Sequence, residues 1–205
     1  MTSRVGNATV LIMNEISPDT KQQTILQAAM TAFASYGFRK TSMDDIARGA
    51  NMSRPALYTH FRNKKAILRS LVEMHYDEAA SQVGQALRSE GSVSMRLHRA
   101  FVAQAGRMAD MLLSSPHGME LLETGTGAAL DLVEAGEARL RDVYADWLAE
   151  EMAAGRIDLR KSPHHVAATL TSALKGLKKP GTELQDYLSA LETLAVLVGQ
   201  GLAIR

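Results

Sequence analysis

Residues 41–64 read TSMDDIARGANMSRPALYTHFRNK, and this stretch predicts two short helices joined by a tight turn. The first helix is predicted to begin at Thr41, whose hydroxyl can cap the backbone amides while Asp44 completes a capping box. The turn falls at residues 50–52, where Asn51 tolerates the left-handed backbone conformation nearly as well as glycine does. Two helices connected in this way form a helix-turn-helix unit.

The second helix, residues 54–60, carries the side chains that would enter a DNA groove. Ser53 is its predicted N-cap residue, and Pro55 lies in the first turn, where a missing backbone N–H costs nothing. Leu57 and Phe61 are predicted to face the core. The exposed side chains combine a forked cation for guanine with methyl, hydroxyl and imidazole groups: Arg54, Ala56, Thr59 and His60, with Tyr58 to one side.

Helical periodicity continues on both sides of this unit. Residues 24–36 place apolar side chains at i, i+3, i+4 and i+7, and Gly37 ends that helix with Phe38 packed back on Phe33. A long helix follows from Asn63. Further helices are predicted at residues 94–114, around residues 119–123 and at residues 163–177. A longer helix is predicted to end near residue 154, and the last helix near residue 198. No segment alternates like a strand, so we predict an all-α fold of about nine helices.

Charge is distributed unevenly along the chain, although the net charge is only +1. Between Asp19 and Glu73 there are nine basic and four acidic side chains, whereas residues 76–205 contain 13 basic and 17 acidic ones. A basic first third on an acidic remainder indicates that one part of the molecule meets a polyanion. Cysteine is absent, which excludes disulfides, thiolate metal sites and cysteine nucleophiles.

We divide the chain into a flexible N-terminal arm at residues 1–18, a helix-turn-helix DNA-binding domain at 19–66 and a C-terminal effector-binding and dimerisation domain at 67–205. The apolar run at residues 10–13 is shorter than the about 7–15 residues of a secretory core or the about 20 of a membrane span. We therefore expect a cytoplasmic protein with no membrane partner.

Residues 20–71 closely resemble the DNA-binding domain of the TetR family of bacterial repressors. The resemblance rests on YGF at 36–38, TSMxDIA at 41–47 and LYxHFxxK at 57–64, which occur at fixed spacing. The visible departure is Asn51, where the family usually has glycine.

This resemblance implies DNA-contacting roles for individual residues. Thr41 and Ser42 match positions that hold phosphate through hydroxyl and backbone amide groups. Base-facing positions are matched by Arg54, Pro55, Ala56 and Thr59. Phosphate-contacting positions are matched by Tyr58, His60 and Lys64. Arg48 and Arg62 are either further phosphate contacts or solvated surface arginines.

Methionines cluster with Phe101 in the middle of the chain, as either core filler or pocket lining. The TetR family usually encloses an effector cavity between these helices. The resemblance thus implies a lining of Phe101, Met108, Met111, Met119, Tyr144 and Trp147. Such a polarizable lining suits a small hydrophobic or aromatic effector.

The last two helices each carry an apolar stripe, which forms either the protomer's own core or an interface. The family resemblance implies a four-helix interface between two copies of the chain, a homodimer. The interface residues are then Val166, Leu170, Leu174, Leu184, Leu188, Leu191 and Leu194.

We therefore interpret the chain as a sequence-specific DNA-binding transcriptional regulator, a ligand-responsive repressor that binds a palindromic operator as a dimer. The alternative is a ligand-independent DNA-organising or accessory protein with the same DNA-binding head. A large apolar cavity would favour the first interpretation, and a filled core the second. The sequence contains no catalytic constellation, metal-ligand spacing or cofactor motif, so we expect neither an enzyme nor a metal or cofactor.

Overall fold

The computed structural model describes residues 18–179 and 182–204, and every helix or strand element in these ranges is an α-helix. The all-α prediction is confirmed. The helices of the described ranges are α1 (Pro18–Tyr36), α2 (Met43–Gly49), α3 (Arg54–His60), α4 (Lys64–Leu87), α5 (Val93–Ser114), α6 (Gly118–Ala128), α7 (Leu130–Ala153), α8 (Pro163–Leu177) and α9 (Leu184–Gly201). The predicted arm lies outside these ranges apart from Pro18. Within them, no helix is long and apolar enough to cross a bilayer.

Side-chain caps and one left-handed residue explain several helix boundaries. Side-chain oxygens cap α3, α4 and α8, from Ser53, Asn63 and Ser162 respectively. Gly37 follows α1 with a φ of 82°, which only glycine adopts without strain. The rings of Phe33 and Phe38 then lie 5.2 Å apart between centroids, as the sequence predicts.

Helix α1 begins at Pro18, six residues before the apolar periodicity of residues 24–36, because polar residues extend it on the solvent side and proline is well tolerated at the first position. Helix α6 continues to Ala128 instead of ending near Glu123. Leu121 and Ala128 both pack against neighbouring apolar side chains, and this packing outweighs the cost of about 1 kcal/mol for each helical glycine.

Buried side chains form two hydrophobic cores that share α4. The head core joins α1, α2, α3 and the start of α4, and it includes Ile25, Phe33, Ile46, Leu57, Ile67 and Leu71. The larger core joins the rest of α4 to α5, α7, α8 and α9, and it includes Val83, Phe101, Leu140, Tyr144, Trp147 and Leu191. The predicted domain boundary after residue 66 therefore falls inside a continuous helix.

Helices α6 and α7 attach the C-terminal part of the molecule to the head. Leu121 of α6 is buried in the head core. Arg69 of α4 donates two hydrogen bonds of 2.6 Å to the carboxylate of Asp131, near the start of α7. The hydrogen bonds from Arg69 lower the pKa of Asp131 to about 2. The head is thus held by both an apolar and an ionic contact.

An ion cluster is built into the larger core. The carboxylate of Glu151 is almost fully buried and accepts hydrogen bonds from the guanidinium groups of Arg156 and Arg96 at 2.6–3.0 Å. These bonds lower the pKa of Glu151 to about 2, with Arg156 contributing most. The Arg96 guanidinium also lies 5.3 Å from the ring centroid of Trp147, a cation–π distance.

Candidate nucleic-acid interface and adjoining cavity

Ser42 caps the amino end of α2. Its Oγ accepts a hydrogen bond of 3.2 Å from the backbone N–H of Asp45, and Oδ2 of Asp45 accepts one of 2.9 Å from the backbone N–H of Ser42. This reciprocal pair is a capping box, one residue later than the predicted pair of Thr41 and Asp44. The hydrogen bonds from Ser42 also lower the pKa of the Asp45 carboxyl.

Thr41 lies inside the turn between α1 and α2, with 2% of its surface exposed. Its Oγ1 is 2.8 Å from the carbonyl oxygen of Gly37 and 3.2 Å from that of Ala32. The predicted phosphate contact through the Thr41 hydroxyl is therefore wrong, because that group is buried and hydrogen-bonded within the head. Ser42, beside it, is exposed.

Lys64, the first residue of α4, also binds this turn. Its ammonium donates hydrogen bonds to the carbonyl oxygens of Phe38 at 2.7 Å, Arg39 at 2.9 Å and Thr41 at 2.9 Å. An ammonium has three N–H donors, and all three are used here. The prediction that Lys64 holds a DNA phosphate is corrected: the side chain ties α4 to the α1–α2 turn.

The turn between α2 and α3 follows the prediction. Asn51 has a φ of 53°, the left-handed conformation that asparagine tolerates. The backbone N–H of Met52 donates to the carbonyl oxygen of Ala47 at 2.9 Å and closes the turn. Leu57 and Phe61 are buried as predicted, so the opposite side of α3 faces solvent.

The outer side of α3 presents the predicted base-facing side chains. The exposed residues of this side are Arg54, Pro55, Tyr58 and Thr59, and the half-buried ones are Ala56 and His60. Nη1 of Arg54 donates to Oδ2 of Asp44 at 3.1 Å, and the guanidinium lies 5.6 Å from the ring centroid of Tyr58. These contacts hold Arg54 across the α2–α3 corner.

Further exposed cations surround the helix-turn-helix unit. They are Arg39, Lys40, Arg48, Arg62 and Lys65. Arg48 pairs with Asp45 at 3.4 Å. Lys40 and Lys65 had no predicted role, and neither has a side-chain partner in the described part of the chain. A role for Lys65 could have been inferred from its position just after the N-cap residue Asn63, which places it on the solvent side of α4.

A cavity of about 500 Å³ lies beside the head core, among α4 to α9. Its apolar wall includes Leu68, Leu71, Phe101, Leu121, Val133 and Leu140. Of the predicted lining residues, Phe101 borders this cavity. The side chains of Met108, Met111 and Met119 lie outside the described residues.

Tyr144 and Trp147 do not border the cavity, which corrects their predicted role. Both are fully buried in the larger core. Trp147 packs against Arg96, and the attraction between the guanidinium and the aromatic ring stabilises this buried position. The Tyr144 hydroxyl donates a hydrogen bond of 2.9 Å to Oε1 of Gln104, and the Tyr144 ring lies 6.1 Å from that of Phe101 between centroids. Tyr144 therefore supports two residues that line the cavity without lining it itself.

Polar side chains from α4, α7 and α8 complete the cavity lining. Nζ of Lys175 lies 2.7 Å from Oε1 of Glu137. Burial lowers the pKa of Lys178, an effect that Glu137 opposes. Burial, with the charge of Lys178, also lowers the pKa of His75 to about 4. His75 is therefore neutral at pH 7.

Helices α8 and α9 bury part of their predicted interface within the protomer. Leu170, Leu174 and Leu191 belong to the larger core, so their prediction as interface residues is corrected: these stripes pack on α7 and α5 of the same chain. The half-buried members of the predicted set are Val166, Leu184, Leu188 and Leu194. The exposed apolar side chains of α9 are Val196 and Leu197, and Leu197 is 61% exposed.

Residues 25–71 match the sequence model of the family described as "Bacterial regulatory proteins, tetR family". The transcriptional activator FasR of Mycolicibacterium smegmatis is 34% identical over 90 residues, which are 44% of this chain and 41% of FasR. The chain thus matches less than half the length of that relative. The transcriptional repressor KstR2 of the same organism is 26% identical over 190 residues, 89% of this chain and 91% of KstR2.

The fold comparison extends over nearly the whole chain. The crystal structure of a transcriptional regulator from Cytophaga hutchinsonii superposes with a TM-score of 0.69 at 17% identity, covering 90% of this chain and 99% of that one. Together with the helix-turn-helix geometry, the sequence match identifies residues 25–71 as a segment of the TetR family of bacterial regulatory proteins, and the chain shares the fold of that solved regulator.

Proposed function

We propose that this protein is a cytoplasmic, ligand-responsive repressor that binds a palindromic operator as a homodimer and has no enzymatic activity. The observation that carries the proposal is a helix-turn-helix head whose core forms one wall of an internal cavity. Its relatives are transcriptional regulators, and KstR2 is a repressor. These likenesses support a role in transcription.

The head reads DNA with the outer side of α3. In this proposal Arg54, Pro55, Ala56 and Thr59 meet base edges in the major groove. Phosphates are held by the exposed or half-buried groups around that helix: Arg48, Tyr58, His60 and Lys65. Ser42 is left out, because its backbone N–H and its hydroxyl both donate to Asp45. Lys65 replaces Lys64 in this set, because the ammonium of Lys64 is already bound to backbone carbonyls.

Ligand response follows from side chains that the cavity and the head core have in common. Met30, Leu68, Leu71 and Leu121 belong to the head core and also line the cavity. An occupant therefore contacts the same side chains that set the position of α1 and α4 relative to the C-terminal part. It can favour one spacing of the two heads only by as much as its affinities for the two arrangements differ.

Dimerisation supplies the second head. Leu197 and Val196 leave an apolar strip exposed on α9, and the half-buried Val166 and Leu177 extend apolar surface along α8. A two-fold interface through α8 and α9 would cover these side chains. The operator is then an inverted repeat whose half-sites lie one or more helical turns apart.

The direct test is selection of duplexes from a random-sequence pool by the full-length protein, followed by fluorescence anisotropy with the enriched duplex. Enrichment of inverted repeats, with affinity that falls steeply as salt rises, is the expected result. Enrichment without a shared sequence would contradict sequence-specific regulation and favour the DNA-organising alternative. The cavity supports the ligand-responsive form over that alternative.

A further inference from the structure

The cavity has two chemically different walls. The part shared with the head core is apolar and contains Met30, Leu68, Leu71 and Leu121. The charged side chains among the described lining residues come from α7 and from the end of α8: Glu137, Arg141, Lys175 and Lys178. A ligand that fills this space therefore needs an apolar body and a polar group.

The charges in this second wall do not balance. Lys175 is paired with Glu137 at 2.7 Å. Arg141 and Lys178 are half-buried, and neither charged group has a hydrogen-bond or ion-pair partner within residues 18–179 and 182–204. Burial lowers the pKa of Lys178, which means that the charged form of its ammonium is destabilised in this wall. An anion placed between these cations would recover that free energy.

The uncharged polar groups of the lining favour the same kind of ligand. Tyr187 is 1% exposed, it lines the cavity, and its hydroxyl has no partner among the described residues. Oε1 of Gln104 is already occupied by the Tyr144 hydroxyl, which leaves the amide N–H donors of Gln104 available. A carboxylate only accepts hydrogen bonds, and it fits a wall of donors and cations.

We propose that this cavity binds an apolar monocarboxylate, with its hydrocarbon body against the head-side wall and its carboxylate between Arg141 and Lys178. The inference rests on the proposed function, in which the cavity is the effector site. A volume of about 500 Å³ suits a small organic molecule, since such sites span about 300–1,000 Å³. Arg141 can hold both carboxylate oxygens with its planar guanidinium.

Titration calorimetry on the full chain without DNA tests the head group of the ligand. Decanoate, decanol and decylammonium share one tail, and 2-naphthoate with 2-naphthylmethanol provides a ring-shaped pair. All are used below their micelle concentrations. At least one carboxylate should bind about tenfold or more tightly than its alcohol, and the ammonium should bind more weakly still. Binding of neither carboxylate, or equal binding of alcohol or ammonium, would overturn the proposal.

Two cavity variants locate the carboxylate. Lys178→Met and Arg141→Met keep much of each side chain's volume and remove its charge, so each should weaken carboxylate binding about tenfold while leaving the affinity for the alcohol unchanged. The ligand-free Lys178→Met protein should also melt at a higher temperature, because an unpaired, half-buried cation has been removed. Lys179→Met, at the exposed neighbouring position, is the matched control. Unchanged carboxylate affinity in both cavity variants would overturn the assignment.

Failure of the inference and failure of the proposed function give different results. A carboxylate that binds but leaves the affinity for the selected duplex unchanged contradicts ligand-responsive regulation and leaves this inference standing. A protein that binds its selected duplex but neither carboxylate retains the DNA-binding function and loses this inference.

Discussion

The ammonium of Lys64 donates a hydrogen bond of 2.9 Å to the carbonyl oxygen of Thr41, so the first residue of α4 holds the turn that precedes α2. Phe38 and Arg39 accept the other two hydrogen bonds. Their carbonyl groups would be left without this donor if the ammonium were removed. The contact thus determines how α2 and α3 are presented on α4.

We predict that Lys64→Met lowers the free energy of unfolding by about 1–3 kcal/mol, because partly buried acceptors lose a charged donor. Lys65→Met should change it by less than about 0.5 kcal/mol, since Lys65 is exposed and has no described partner. Urea titration followed by circular dichroism measures both.

The same pair separates folding from phosphate binding. Lys65→Met should reduce the slope of log affinity against log salt by about one, equally on all duplexes. If Lys64→Met lowered that slope without loss of stability, Lys64 would be a phosphate contact after all.

Arg54→Ala should weaken binding to the selected duplex by roughly tenfold or more, with a much smaller effect on a scrambled duplex. Arg54 is exposed on α3 and is held in the free protein by Asp44 at 3.1 Å. Anisotropy with both duplexes at one salt concentration measures the difference. An equal loss on the two duplexes would place Arg54 on the phosphates.

Substitutions in α8 and α9 should distinguish core from interface. Leu197→Glu places a charge on an exposed apolar strip and should convert dimers to folded monomers at micromolar protein in sedimentation velocity. Leu170→Glu should instead unfold the chain, because it buries a carboxylate in the protomer's own core. Leu197→Met is the control and should stay dimeric. Dimers that persist in Leu197→Glu would move the interface off this strip.

We predict that His75 makes the free energy of unfolding depend on pH. Its pKa is about 4 in the folded protein and 6.5 when unperturbed, so between these values the unfolded chain binds the extra proton. The contribution of His75 to the free energy of unfolding is therefore fully present above pH 6.5. It falls by up to about 3 kcal/mol as the pH is lowered toward 4.

His75→Gln should remove this pH-dependent contribution, which urea titrations between pH 7 and 4 would detect. Loss of the Glu151 ion cluster occurs lower, between pH 4.5 and about 2. Parallel pH profiles of wild type and His75→Gln would contradict the buried neutral imidazole.

Local signals predicted the head well, down to individual turns. Asn51 has a φ of 53°. Because few residue types tolerate that conformation, an asparagine at this position predicts the turn from the sequence. Leu57 and Phe61 are buried because helical spacing places them on one side of α3. The capping box was displaced by one residue, since both Thr41 and Ser42 are good cap residues and only the packing under the turn selects between them.

The sequence by itself determined the all-α fold, the helix-turn-helix and the side of each short helix that faces the core, because caps, turns and apolar periodicity act between residues close in the chain. Tertiary structure alone decided that Lys64 binds carbonyls, that Leu191 serves the protomer's own core and that Trp147 lies away from the cavity. Each of these outcomes depends on a partner from a distant segment. A periodic pattern shows which side of a helix is buried, and only the packed chain shows what covers it.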